Sequence, residues 1–102
     1  MTNVIWYPER QLMRIAGHAG AAPEGEDLVC AAISTLTWTL GAAAEEFAGR
    51  TEIDSAHAWV EIRAAPEGEE DTARCRYLFE VIAGGFAGIA EKFPEYLRIE
   101  KR

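Results

Sequence analysis

Basic residues are scarce in this chain. Ten lysines and arginines stand against seventeen acids, leaving a formal net charge of −7. So few cations argue against nucleic acid as a partner, because that affinity rests on Lys and Arg neutralising phosphates; a basic partner suits the charge better. Cysteine is nearly absent too, and Cys30 and Cys75 alone make no disulfide framework. The first ten residues, Met1 to Arg10, lack a basic segment followed by an apolar run, so no secretory signal is expected. No apolar stretch reads as the roughly 18 residues of a membrane span, and a soluble, cytoplasmic protein without membrane contact is expected. His57 has no acid or cysteine at a ligand spacing beside it; it reads as a strand histidine, and neither metal nor cofactor is expected.

What is present is an ordinary globular composition, 49% hydrophobic and 26% charged over 102 residues. That is room for one domain, residues 1–102. Val4 to Tyr7 and Gln11 to His18 are β-like runs separated by Pro8-Glu9-Arg10, a hairpin pattern. Gly17 to Gly25 holds three glycines and a proline and reads as a mobile surface loop. From Asp27, a natural N-cap, to about Ala48 the composition predicts a first helix closed by Gly49. Glu52 to Arg63 alternates and is read as a third strand, at its end if not throughout. Leu78, Ile82, Phe86, Ile89 and Phe93 recur at helical spacing, which predicts a second helix from about Thr72 to Phe93, stopped by Pro94. Tyr96 to Ile99 alternates as a last short strand. The expected fold is α/β (α+β): order ββαβαβ, with two helices packed on a mainly antiparallel four-stranded sheet.

Some features are read as bland. Ala21-Ala22-Pro23-Glu24-Gly25-Glu26 recurs as Ala64-Ala65-Pro66-Glu67-Gly68-Glu69, an echo attributed to shared loop chemistry ahead of a helix. Cys75, between Arg74 and Arg76, is taken as structural and half exposed, with no local base. Gly84, Gly85 and Gly88 interrupt the second helix; each costs up to about 1 kcal/mol against Ala and should be repaid by close packing. Thr35, Trp38, Thr39 and Ala42 form a row of packing surface, at a dimer contact if there is one.

Chemistry concentrates between residues 17 and 34. His18 ends a strand, a glycine-rich loop follows, and Cys30 falls at the third position of a helix capped by Asp27. Unpaired N–H groups and the positive end of the helix dipole there favour thiolate over thiol. His18 could take the thiol proton and return one to a leaving amine, and the same N–H groups could hold an oxyanion. On spacing alone, a small buried apolar residue is the favoured reading of Cys30, flanked by Leu28, Val29, Ala31 and Ala32. Asp27 and Ser34, three before and four after Cys30, share its helix face, and on spacing the roles of a cap and a packing residue are favoured.

Gly17-His18-Ala19, then Gly25, Asp27 and Cys30-Ala31-Ala32-Ile33-Ser34, followed by the ending Ile89 to Ile99, resembles the ribosomal-processing cysteine proteases, the Prp family, over nearly the whole chain. The resemblance implies a catalytic dyad of Cys30 and His18, with the acid and serine of the motif on Asp27 and Ser34. It implies a homodimer whose loop, carrying Gly17, Gly20 and Gly25, moves as substrate enters. It further implies removal of a short N-terminal extension from a large-subunit ribosomal protein, after a phenylalanine-rich motif; some phage head proteins are cut similarly. The loop reads Ala21-Ala22-Pro23 where relatives are expected to carry an aromatic, so substrate contacts from that loop do not carry over. A diverged copy that cuts a phage capsid protein, and a non-enzymatic module that holds a peptide or ribosomal protein with Cys30 inert, are the alternatives.

Overall fold

A computed structural model describes residues 1–18 and 28–102. Asp27, Gly20 and Gly25, and the first copy of the loop echo, lie outside the described residues. Strand β1 (Thr2–Tyr7) turns through Pro8–Arg10 into β2 (Leu12–Ala16), the expected hairpin, with Gln11 left-handed at φ 44°. Helix α1 (Leu28–Ala44) tightens into one 3-10 turn at Glu45–Phe47. Ala48 then turns left-handed, and the Gly49 N–H returns to the Ala44 carbonyl at 2.9 Å.

The third strand expected at the end of Glu52 to Arg63, if not throughout, stands at that end, and the earlier part forms a further strand that was not expected. The segment is a hairpin of β3 (Arg50–Asp54) and β4 (Trp59–Arg63) around a 3-10 turn at Ser55–His57. Asp54 makes the turn: one carboxylate oxygen accepts the His57 N–H at 3.3 Å and the other meets its ring Nδ1 at 2.7 Å. His57 is therefore a turn residue with an acidic partner three positions back, not a strand residue. Helix α2 (Glu69–Lys92) starts three residues before its expected beginning, and β5 (Leu97–Lys101) ends the chain. The order is ββαββαβ.

The sheet runs β3-β4-β2-β1-β5; β1 and β5 are parallel and the other three pairs antiparallel. It has five strands rather than four, and the extra one is β3. Directly paired residues share a face. Val4, Met13, Ile15, Ile62 and Leu97 form the helix-covered side of the core, against Val29, Ile33 and Leu40 of α1 and Phe79, Ile82 and Phe86 of α2. Cys75 belongs to this core and is wholly buried, which corrects the half-exposed expectation: it is four residues before Phe79 and seven before Ile82, on the stripe that faces the sheet. Burial pushes its thiol pKa up, so it stays protonated and unreactive in the fold.

The other face of the sheet carries charge. Glu52 and Glu61 are directly opposed on β3 and β4, a repulsive arrangement by itself. Arg63 bridges them, and Arg14 of β2 donates to one Glu61 oxygen through Nε at 3.1 Å and a terminal nitrogen at 2.7 Å. The Arg14 guanidinium also lies 5.7 Å from the centre of the Trp59 ring. Glu61 is buried despite its charge because two guanidiniums replace its water.

Only one of the three α2 glycines is explained by packing. A side chain at Gly85 would stand 3.0 Å from Leu36 of α1, whereas Gly84 and Gly88 face open space. Gly84→Ala is therefore expected to raise stability by up to about 1 kcal/mol from helix propensity, and Gly85→Ala to raise it less or lower it. Phe86→Ala, in the centre of the core, is expected to cost about 3–5 kcal/mol. Denaturant unfolding of the three variants checks the ranking.

Candidate active site

Strand β2 ends at Ala16, and Gly17 leaves it with φ 92°, a conformation that suits only glycine. Its N–H donates to the Ala58 carbonyl at 2.8 Å, and its carbonyl accepts the Thr2 hydroxyl at 3.3 Å. A Cβ on Gly17 would stand 2.5 Å from the Met1 carbonyl oxygen, so the space is closed as well as the dihedral. Gly17 thus ties the first strand and the turn of the β3–β4 hairpin to the end of β2, and the next residue, exposed His18, departs from that fixed point.

Cys30 is half-buried in the first turn of α1 as described from Leu28, with Val29 before it in the core. Twelve positions separate it from His18 in sequence, yet both line one cleft of about 770 Å³, together with Gly17 and Ser34. Of the residues expected in the site, His18, Cys30, Ser34 and Gly17 come together; Asp27, Gly20 and Gly25 are outside the described residues. Its place on α1 sets Cys30 beside a space open to a ligand.

The cleft continues along α1 past Thr37, Trp38, Gly41 and Ala42 to Glu45, and its other wall is Thr51 and Ile53 of β3. Val60 and Ile15 lie beneath. None of the β3 and β4 wall residues was foreseen, because the hairpin was read as a single strand. Trp38 and Ala42, expected on a packing surface, are exposed in the single chain and line this cleft. The stretch Leu28–Phe47, 20 residues with an 18-residue window of mean hydropathy 1.3, also has the length and composition of a membrane span, which corrects the expectation that no apolar run comes near that length. Length and composition alone do not separate a span from a helix that packs on a sheet, as this one does.

The family model for cysteine protease Prp matches residues 3–98. Among solved structures, the ribosomal processing protease Prp from S. aureus with a covalently linked product peptide superposes with a TM-score of 0.81 at 19% identity, covering 100% of both chains. The same protease with a substrate peptide gives 0.70 at 17% identity, covering 99% of this chain and 97% of that one. SMU.848 from Streptococcus mutans gives 0.75 at 27% identity, with 98% and 90% covered. No curated protein matches the sequence.

Two outcomes follow from the geometry. Gly17→Ala, forced against Met1 and into a strained dihedral, should cost about 1–3 kcal/mol and displace His18. Gly68→Ala shares the positive φ but meets nothing within 4 Å, and should cost the dihedral strain alone. Thiol titration of the native chain should count one reactive cysteine, Cys30, and a second, Cys75, only after unfolding; two reactive thiols in the native chain would contradict the buried position of Cys75.

Proposed function

This chain belongs to the Prp family of cysteine proteases, and from that premise we propose that it is an endopeptidase that removes the N-terminal extension of a large-subunit ribosomal protein. Cys30 is the nucleophile and His18 its general base and acid. Two residues on separate elements facing one cleft carry this reading, since a nucleophile and its base must share the space in which the peptide bond lies.

His18 takes the proton of the Cys30 thiol, and the sulfur attacks the scissile carbonyl carbon. Backbone N–H groups of the first helical turn hold the oxyanion that forms. The tetrahedral species collapses, the C–N bond breaks, and His18 gives its proton to the departing amine. A water, deprotonated by the same imidazole, then hydrolyses the thioester and restores the thiol. No step requires a cofactor. Asp27 supports the site by capping the catalytic helix and Ser34 by hydrogen bonding within the cleft.

An acidic chain of net charge −7 suits a basic ribosomal protein as substrate, and the similar S. aureus structures are of a ribosomal processing protease with a substrate or product peptide bound. The enzyme acts in the cytoplasm as a homodimer, which sedimentation of the purified chain would test.

Mass spectrometry of the source organism's own extended ribosomal protein, incubated with the chain, is the test. A single N-terminal cut is expected, and none with Cys30→Ala. Near pH 6, where an ordinary thiol of pKa about 8.5 is almost wholly protonated, Cys30 should alkylate rapidly, and His18→Ala should slow it. Asp27→Ala or Ser34→Ala with an unchanged cleavage rate would remove that residue from the site. An uncut substrate with an inert Cys30 would overturn the enzymatic reading in favour of a peptide-binding module. An uncut substrate with a reactive Cys30 would move the substrate elsewhere, a capsid protein being the first to try.

A further inference from the structure

We infer that the cleft reads its substrate well away from the scissile bond, gripping an apolar side chain between Trp38 and Ile53 and a basic one at Glu45. This rests on the protease reading above and adds to it the class of peptide the site selects.

Trp38 and Ile53 are 71% and 59% exposed, large apolar side chains left in water, and both line the cleft that holds Cys30, one from α1 and one from β3. Burying an aromatic or branched side chain between them would remove apolar area from water on both partners. Glu45 lies at the far end of the lining along the helix. Its charge is uncompensated: among the described residues no cation pairs with it, whereas Glu46 meets Arg74, Glu52 meets Arg63, and Asp54, the other carboxylate in the cleft, meets His57. A mostly apolar cleft with one unpaired carboxylate suits a peptide that is apolar with one cation.

Helix geometry gives the spacing. Trp38 is eight residues beyond Cys30, about 12 Å along the axis, and Glu45 fifteen, about 22 Å, at a rise of 1.5 Å per residue. An extended peptide advances about 3.3 Å per residue. The residue between Trp38 and Ile53 is then the third or fourth from the bond attacked by Cys30, and the one at Glu45 is the sixth or seventh. Between these points helix and strand approach closely, since a Cβ at Gly41 would stand 3.1 Å from the Thr51 hydroxyl.

A set of cleavable peptides, each with a single Lys or Glu walked outward from the scissile bond in either direction, tests this against wild type and Glu45→Lys. Wild type should favour Lys over Glu by about tenfold in kcat/KM at the sixth or seventh position of one side, an effect of ion-pair size at an exposed site counted once as attraction and once as repulsion. Glu45→Lys should reverse the preference there relative to the neutral peptide, and both preferences should shrink in high salt. Trp38→Ala should raise KM with kcat little changed, most for peptides with an aromatic at the third or fourth position. Equal cutting of all peptides by wild type, or a lysine preference that survives Glu45→Lys, would overturn the inference and leave the protease intact. Failure to cut even the neutral peptide would sink the protease reading and this inference with it.

Discussion

The end of β2 is the point on which the functional half of the molecule depends. Gly17 is fixed by its own N–H on the Ala58 carbonyl, by the Thr2 hydroxyl on its carbonyl, and by the Met1 carbonyl occupying the place of a side chain. Those contacts come from β1 and from the turn of the β3–β4 hairpin, so three parts of the sheet meet where the chain leaves toward His18. Thr2 is buried and its N–H is spent on the Tyr96 carbonyl, which links this corner to the segment before β5. His18 therefore leaves a fixed corner of the sheet to line the same cleft as Cys30, which another element carries.

Strand β3 presents a different problem, since it forms one wall of the cleft although no helix covers most of it. Arg50, Thr51, Glu52 and Ile53 are all exposed. Its hold comes from the hydrogen-bonded ladder with β4 and from charge on the face away from the helices. Exposed ion pairs are individually weak, about 0–1 kcal/mol, but here they end on Glu61, which is buried. Removing Arg14 or Arg63 would leave that carboxylate short of a partner, and an uncompensated buried charge costs several kcal/mol. The alternation Glu52–Arg63–Glu61–Arg14 therefore ties β3, β4 and β2 together from behind, while the apolar front of the same strands lines the cleft.

How far the sequence revealed this depended on which contacts were local. The β1–β2 hairpin could be read from Pro8 between two β-like runs, and the family from the motif that holds His18, Cys30 and Ser34. The β3–β4 hairpin could not, for a physical reason. Its turn contains neither glycine nor proline and is made by the Asp54 side chain and a left-handed Ala58; four residues, 55 to 58, separate the strands, so odd–even alternation continues through the turn as if the strand did. Faces nevertheless switch parity, and Ile53 shares a side with Val60 and not with Trp59. Cys75 was misjudged because its arginine neighbours are adjacent in sequence, while a helix places Phe79 and Ile82 beside it in space. The cleft walls were invisible for the same reason as the hairpin that builds them.

Helix α1 shows why composition alone misleads about such a site. It is apolar enough to resemble a membrane span, yet only 22% of that stretch is buried; the core needs Val29, Ile33, Leu40 and Ala44, one narrow stripe. Elsewhere on the helix Thr35, Thr37 and Thr39 turn their hydroxyls onto the carbonyls of Ala31, Ile33 and Thr35, at 2.9, 2.8 and 2.7 Å. With the hydroxyl satisfied by its own backbone, each threonine offers solvent its methyl group. A helix facing only water would gain nothing from this, and one facing only the core would carry it inward. The excess of apolar surface, continued by Trp38 and opposed by Ile53 across the cleft, is what a helix needs when one side must hold the fold together and the other must remain ready to be covered by a peptide.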